Sequence, residues 1–462
     1  MDNSDQESST LLLSPSETSN APKDRLKFVY AIFYLLGIGT MLPWNFFING
    51  KHYFMYKLRN TTLPTNFTHY DEPKYETEFQ VSFESYLAIA AMLPTVLFMF
   101  LNAVATRLIR LRIRMVIAAV TMILIFAVTL TFVILDTDRW QVEFFAITLV
   151  CIVIMNAASA VLQGGVFGLA SMFPPKYSQS VMAGQGMGGT LAAVANIISI
   201  AATKNASQSG LFYFTIALVV LLMALVAYLV LPCIKFARYH TDRNFRQTIS
   251  SNDEDNTVDT SEDLNSISFS GSNSTPLLRV FRMISKYAFS VSIIFFVTLA
   301  CFPAITSSIA PALRKEGNRT VLVKDEWRRK YFTPVICFLL FNVFDLVGRT
   351  IAGFYQWPKF KSNLLPLFCI LRIGFIPLFV FCNVQPRLYL VTYLFQNDVA
   401  PAVIMVFFAL SNGYLSTLCM MYGPMNANEE DEETAGALMP FFLALGLSAG
   451  SFFSFLLLHY MI

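Results

Sequence analysis

The residues best suited to chemistry in this 462-residue chain lie in Asn342-Val-Phe-Asp345-Leu-Val-Gly-Arg349, an acid and a base four positions apart in an apolar run. On a helix that spacing puts both side chains on one face, within pairing reach. At mid-membrane depth a charge costs about 2.5–3.5 kcal/mol on insertion scales, so it faces a partner or a cavity. The pair has two readings. It is a polar binding wall, with Asp345 accepting from ligand hydroxyls and Arg349 donating, or it is an ion pair that only neutralises itself. Arg372 is a second charge in an apolar run; its alternative is a place nearer one membrane face, where a long side chain snorkels to water.

Other polar groups sit in similar surroundings. Gly37-Ile-Gly-Thr-Met-Leu-Pro43-Trp44-Asn45 combines a helix-kinking proline, a flat indole and an amide. Trp44 can stack on a heteroaromatic ring, or it belongs to an interfacial aromatic belt. Gln163 presents an amide whose donor and acceptor match the edge of a nucleobase, or it makes a plain interhelical hydrogen bond. Asn156, Asn196 and Asn412 raise the same choice, and packing is the preferred reading. Gly184-Gln-Gly-Met-Gly-Gly189 matches GxGxxG, but it lies in a helical apolar run without a preceding strand, so the dinucleotide reading is rejected. Gly184/Gly188 and Gly446/Gly450 fit close helix contacts instead. Glu84 and Glu433 open two apolar runs, where solvated helix-terminal acids are the default; an accessible one would make activity pH-sensitive.

These residues need elements that span lipid. The chain is 55% hydrophobic and only 14% charged, against about 25% charged in soluble domains. A crossing helix needs about 20 apolar residues, and Met115–Leu135 and Leu211–Leu231 carry no charge at all. Eleven spans are expected at 26–48, 82–106, 115–135, 142–170, 179–203, 210–232, 284–308, 331–354, 363–383, 401–422 and 435–459. Each should be helical, because lipid supplies no partners for backbone amides. The expected fold is an all-α polytopic membrane protein: a tail (1–25), a six-helix bundle (26–232), a disordered linker (233–283) and a five-helix bundle (284–462). The serine-rich, acidic composition of 233–283 cannot build a core.

Arg107, Arg110, Arg112 and Arg114 occur without an acid between the second and third spans, which places that loop and the N-terminus in the cytoplasm. The C-terminus is then luminal or extracellular. The sequons at Asn60, Asn66, Asn205 and Asn318 fall on outer loops and are expected to be glycosylated, whereas Asn273 falls in the linker. The basic 309–330 loop runs against the charge rule.

The net charge of +3 is too small to imply a nucleic-acid partner. The seven cysteines form no CxxC and the four histidines are scattered, so no metal site, cofactor or disulfide framework is expected. No hydrolase or P-loop motif occurs, and a carrier is favoured over an enzyme or a receptor.

Across nearly its whole length the sequence resembles the equilibrative nucleoside transporter family. The resemblance rests on Gly39-Thr-Met-Leu-Pro-Trp-Asn-Phe-Phe47, Leu162-Gln-Gly164, Gly184-Gln-Gly186, Phe302-Pro303, Phe341-Asn-Val-Phe-Asp-Leu-Val-Gly-Arg349, Ser411-Asn-Gly-Tyr414 and Glu433-Thr-Ala-Gly436. It implies a 6+5, major-facilitator-like fold and facilitative transport of nucleosides, with nucleobases as further cargo, by alternating access; the alternative is a receptor or scaffold that binds such a ligand without moving it. By matching motif, Trp44 and Gln163 would contact the base, Asp345 and Arg349 the ribose, and Met92 and Leu93 the cavity wall. Ile48, Phe302, Pro303 and Asn342 would form an outer gate, and Arg114 and Glu433 the cytoplasmic closure. Ile48 and Ser159 stand where the best-known plasma-membrane member has Met and Gly. Within the family the sequence looks most like lysosomal, type-3-like members. Glu7-Ser-Ser-Thr-Leu11-Leu12 fits an acidic dileucine signal for adaptor proteins, which favours the late endosome or lysosome over the plasma membrane.

Overall fold

The computed structural model describes residues 22–49, 51–61, 77–202, 206–242, 276–310, 314–316, 319–321, 331–385, 394–395 and 397–460. The expected residues Glu7, Leu11, Leu12, Asn66, Asn205 and Asn318 lie outside these, as do the side chains of Trp44, Ile48, Glu84 and Asn196.

The described residues are mostly helical. The first half contains α1 (Phe28–Asn49), α2 (Lys51–Lys57), α3 (Glu78–Ala105), α4 (Leu111–Ile134), α5 (Gln141–Ser171), α6 (Pro175–Ala202), α7 (Ala206–Val230) and α8 (Lys235–Thr241). The second contains α9 (Pro276–Cys301), α10 (Ala304–Ser307), α11 (Leu340–Phe354), α12 (Leu364–Leu371), α13 (Phe375–Val380), α14 (Val399–Met425) and α15 (Glu432–Tyr460). Among the described residues seven helical segments are long and apolar enough to cross a bilayer, from Leu111–Ile134 to Glu429–Leu458. Two short strands, β1 (Arg314–Glu316) and β2 (Arg319–Val321), pair antiparallel between α10 and α11.

Two of the described spans are irregular. A π-helical stretch, Thr333–Leu339, leads into α11 and carries Pro334 at its start. The ninth span narrows to a 3-10 turn at Arg372–Gly374 between α12 and α13. Pro377 has no N–H to give the carbonyl of residue 373, so the regular ladder cannot continue there.

Parts of the expected 233–283 linker are helical. Residues 235–241 are helical, and α9 begins at Pro276 rather than near 284. Aromatic burial drives this difference: Phe236 of α8 lies 5.5 Å from the Tyr177 ring and 6.0 Å from Phe173. Such ring pairs add about 0.5–1.5 kcal/mol beyond area burial, enough to hold a polar segment against the bundle.

Helices pack closely where side chains vanish. A Cβ on Gly184 would lie 2.0 Å from the Tyr34 carbonyl oxygen, which brings α6 against α1. Gly446 and Gly450 do the same for α15 against α9, each 2.3 Å from a backbone oxygen. The small-residue contacts expected at both pairs are therefore present, and they lie within each half.

The halves meet along two seams. In one, α11 and α14 lie on α6; in the other, α15 lies on α3 and α5. The chain alternates direction, so the end of α5, the start of α6 and the start of α15 share one membrane face with the arginine-rich 106–110 turn. The second seam closes there: Ser171 Oγ donates to the Glu432 carbonyl at 2.7 Å, and the Thr106 and Thr434 hydroxyls lie 3.1 Å apart.

Candidate functional site

Asp345 and Arg349 sit on the face of α11 that meets α6 and α14. They are 4% and 6% exposed, which rules out a lipid-facing position. Arg349 Nε donates to Asp345 Oδ2 at 2.7 Å. The arginine also crosses the seam, donating from Nη1 to the Met182 carbonyl at 3.1 Å and to Gln185 Oε1 at 3.4 Å on α6. Gln179 Nε2 returns a bond to the Arg349 main-chain carbonyl at 3.0 Å. The pair therefore does more than neutralise itself; it fastens one half of the molecule to the other.

Polar contacts continue into the first half. Gln185 Nε2 donates to Thr40 Oγ1 at 3.1 Å, and Ser159 Oγ donates to the Thr40 carbonyl at 2.9 Å. Ser159 thus ties α5 to α1. Gln163 lies one helical turn from Ser159, on the same face of α5. It is 4% exposed, and its Nε2 has no hydrogen-bond partner among the described residues. A buried donor left unsatisfied costs about 1–3 kcal/mol. Thr40 lies one turn before Trp44 on α1, which brings the Trp44 backbone to the same region.

On its other side Asp345 meets α14. A Cβ on Gly413 would lie 2.0 Å from the Asp345 carbonyl oxygen, so only glycine admits this approach. The neighbouring Asn412 then donates from Nδ2 to Asp345 Oδ1 at 2.7 Å. An interhelical hydrogen bond is the reading preferred for Asn412 from sequence, and the structure supplies its partner, the Asp345 carboxylate. Of the two readings open for Arg372, the structure gives the buried charge and not the snorkelling one. It is 2% exposed and bonded to Phe408, Ser411, Thr298 and Asn412. The 3-10 turn at 372–374 aims its side chain inward.

The gate residues divide into two groups. Phe302 stacks on Phe341 at 4.1 Å, and Pro303 follows at the start of α10. Asn342, next to Phe341, donates from Nδ2 to the Phe338 carbonyl at 2.8 Å, and its own carbonyl accepts from Thr190 Oγ1 of α6 at 3.1 Å. These three residues therefore cluster at the end of the seam remote from the arginine-rich turn. At that turn Arg114 of α4 is ion-paired with Glu433 of α15 and also donates to Asn102 Oδ1 at 2.6 Å. Beside it Asp431, fully buried, accepts from Arg107 at 2.7 Å and Arg279 at 2.8 Å. Arg107 belongs to the first half and Arg279 to the second. Sequence reasoning missed Asp431 because it sits in an acidic run that reads as solvated.

Two expected wall residues separate. Met92 is half-buried, whereas Leu93 is 70% exposed. Leu93 shares its stripe with exposed Ile89 and Leu97, a spacing that marks the outward face of α3; the structure does not bring it to the site. Asn60 is half-buried just after α2. Its neighbour Arg59 donates to Asp138 at 2.8 Å and lies over the Tyr56 ring. Gln179, Met182 and Gln185 were the main residues missed on α6. Their spacing of three, continued by Gly186 and Gly189, is a helical stripe that could have revealed them.

This arrangement has known counterparts. Residues 149–459 match the sequence model of a family described as nucleoside transporter. Equilibrative nucleoside transporter 1 of Homo sapiens is 37% identical, with 95% of this chain and 98% of that protein covered. Equilibrative nucleoside transporter 3 of Rattus norvegicus is 34% identical, covering 96% and 92%. The identities do not single out the type-3 relative. The fold resembles that of the proton:xylose symporter XylE of the major facilitator superfamily, with a TM-score of 0.60 and 11% identity over 94% of this chain and 88% of that one. An all-helical, two-seamed membrane fold, a buried acid–base pair on the seam and a match over two-thirds of its length agree: the chain belongs to the nucleoside transporter family.

Proposed function

We propose that this protein carries nucleosides down their gradient by alternating access, as a transporter and not an enzyme. The single observation that carries the reading is the Asp345–Arg349 pair, buried at the junction of the two halves and bonded to both. A ribose offers hydroxyls that can donate to Asp345 and accept from Arg349. Each Asp345 oxygen takes one protein bond, which leaves lone pairs for ligand hydroxyls. The unpartnered Gln163 amide supplies a donor for the base, and Trp44 supplies a stacking surface. Ligand entry requires Arg349 to exchange the Met182 carbonyl for substrate, and this exchange links binding to the α6–α11 seam. Rocking of one half against the other then exposes the site to each side in turn.

In the orientation read from Arg107–Arg114, the Arg114–Glu433 and Asp431 ion pairs close the cytoplasmic side. Phe302, Pro303 and Asn342, with Ile48, guard the opposite one. Residence in the late endosome or lysosome, through Glu7, Leu11 and Leu12, and glycans on Asn60, Asn66, Asn205 and Asn318 complete the proposal.

Uptake of radiolabelled adenosine and uridine into proteoliposomes tests it. The expected result is saturable flux that stops at equal concentrations. A protein that binds nucleosides without flux would support the receptor reading.

A further inference from the structure

Behind Asp345, on the side away from the first half, lies a chain of buried polar groups that the transport reading does not use. Arg372 Nη1 donates to the Phe408 carbonyl at 3.0 Å and to Ser411 Oγ at 2.6 Å. Its Nη2 donates to Thr298 Oγ1 at 3.0 Å and to Asn412 Oδ1 at 3.4 Å. Thr298 Oγ1 also lies 2.7 Å from Asn412 Oδ1 and 2.8 Å from the Ile294 carbonyl. The guanidinium rests against the Phe408 ring at 5.0 Å. Four helical segments thus converge on Asn412: α9 through Thr298, the 372–374 turn through Arg372, α11 through Asp345 and α14 itself.

The chemistry of an amide gives this convergence a direction. Asn412 has one acceptor end and one donor end. Arg372 can only donate, so the end of Asn412 facing it must be the oxygen. The NH2 group is then forced toward Asp345, where it holds Oδ1 at 2.7 Å while Arg349 holds Oδ2 at 2.7 Å. Both carboxylate oxygens are fixed in place, one from each side. Arg372 has no carboxylate within its own set of bonds and is fully buried. A plain packing role would be filled at less cost by an apolar side chain of the same size, since uncompensated buried charge is expensive.

We propose that Arg372, acting through Thr298 and Asn412, is a positioning residue that sets the orientation of the Asp345 carboxylate and so the discrimination in favour of nucleosides with ribose hydroxyls. This rests on the assignment of Asp345 to the ribose. The polar chain is the reason a cation sits at mid-membrane depth without touching the cargo.

The test compares KM for uridine and for 2′,3′-dideoxyuridine in proteoliposomes containing full-length wild-type, Asp345→Asn, Arg372→Met, Arg372→Lys and Thr298→Val proteins. Arg372→Met should raise KM for uridine about 5-fold or more, the equivalent of one weakened hydrogen bond, and leave that for dideoxyuridine nearly unchanged. The ratio of the two should move toward that of Asp345→Asn. Arg372→Lys should recover part of it. Thr298→Val keeps its shape and should move the ratio in the same direction even if Arg372→Met fails to reach the membrane. A ratio that holds at the wild-type value in Thr298→Val or Arg372→Met while Asp345→Asn collapses it would overturn the inference and leave the ribose assignment standing. A ratio preserved in Asp345→Asn would remove the assignment itself, and the inference with it.

Discussion

Arg114 on α4 and Glu433 on α15 form an ion pair that joins the two halves of the molecule at the arginine-rich face. Arg114 is almost wholly buried and Glu433 is not, at 4% and 27% side-chain exposure. Opening this face must break the pair and leave Arg114 with only Asn102 and backbone carbonyls. Glu433→Gln should therefore favour the open state. Cys233 is the one exposed cysteine of the seven and would be replaced by serine; a thiol introduced as Ser171→Cys should then react with a soluble reagent about tenfold faster in Glu433→Gln, since 1.4 kcal/mol is a factor of ten. Unchanged labelling would show that the pair does not hold the seam.

Asp431 is the second fastening at that face. It receives Arg107 from one half and Arg279 from the other. Asp431→Asn keeps the shape and loses the charge. Charge-assisted bonds contribute on the order of 2 kcal/mol, and thermal unfolding in detergent should shift down by several degrees. Both arginines are partly exposed and regain water, so folding should survive.

Arg349→Lys separates charge from geometry. A lysine ammonium is a single point charge and cannot serve Asp345 and the Met182 carbonyl with the fixed fork of a guanidinium. Transport should fall about tenfold or more with normal delivery to the membrane. Retained transport would mean that only charge matters at this position.

Two glycines should behave oppositely. Gly413→Ala places a methyl 2.0 Å from the Asp345 carbonyl oxygen, whereas Gly374→Ala meets no atom within 4 Å. The first should lower both transport and thermal stability, and the second should leave both near wild type. Equal effects of the two would mean that the α11–α14 approach does not position Asp345.

The helices were legible because run length is a direct demand of the bilayer, as Met115–Leu135 illustrates. Asp345 and Arg349 were legible because charge in an apolar run at helical spacing needs no tertiary information. Thr298 and Gln185 were not, since each is a common polar residue whose meaning lies in a partner on another helix; Asn412 was legible as an interhelical hydrogen-bonder, but its pairing with Asp345 was not. Arg372 was legible as a charge in an apolar run, but the choice between burial and snorkelling depends on Thr298, Phe408, Ser411 and Asn412, which lie on other elements. Leu93 failed at the level of helix face, one position from half-buried Met92. The short helix at 235–241 was hidden because its packing partners, Phe173 and Tyr177, are distant in sequence.

The most direct measurement is counterflow of radiolabelled uridine in proteoliposomes of the wild-type and Asp345→Asn proteins, side by side. Wild-type vesicles preloaded with unlabelled uridine should accumulate label transiently, and Asp345→Asn vesicles with equal protein content should lose at least about nine-tenths of that signal, a loss of 1.4 kcal/mol or more. Equal counterflow in the two would contradict the placement of the substrate at Asp345.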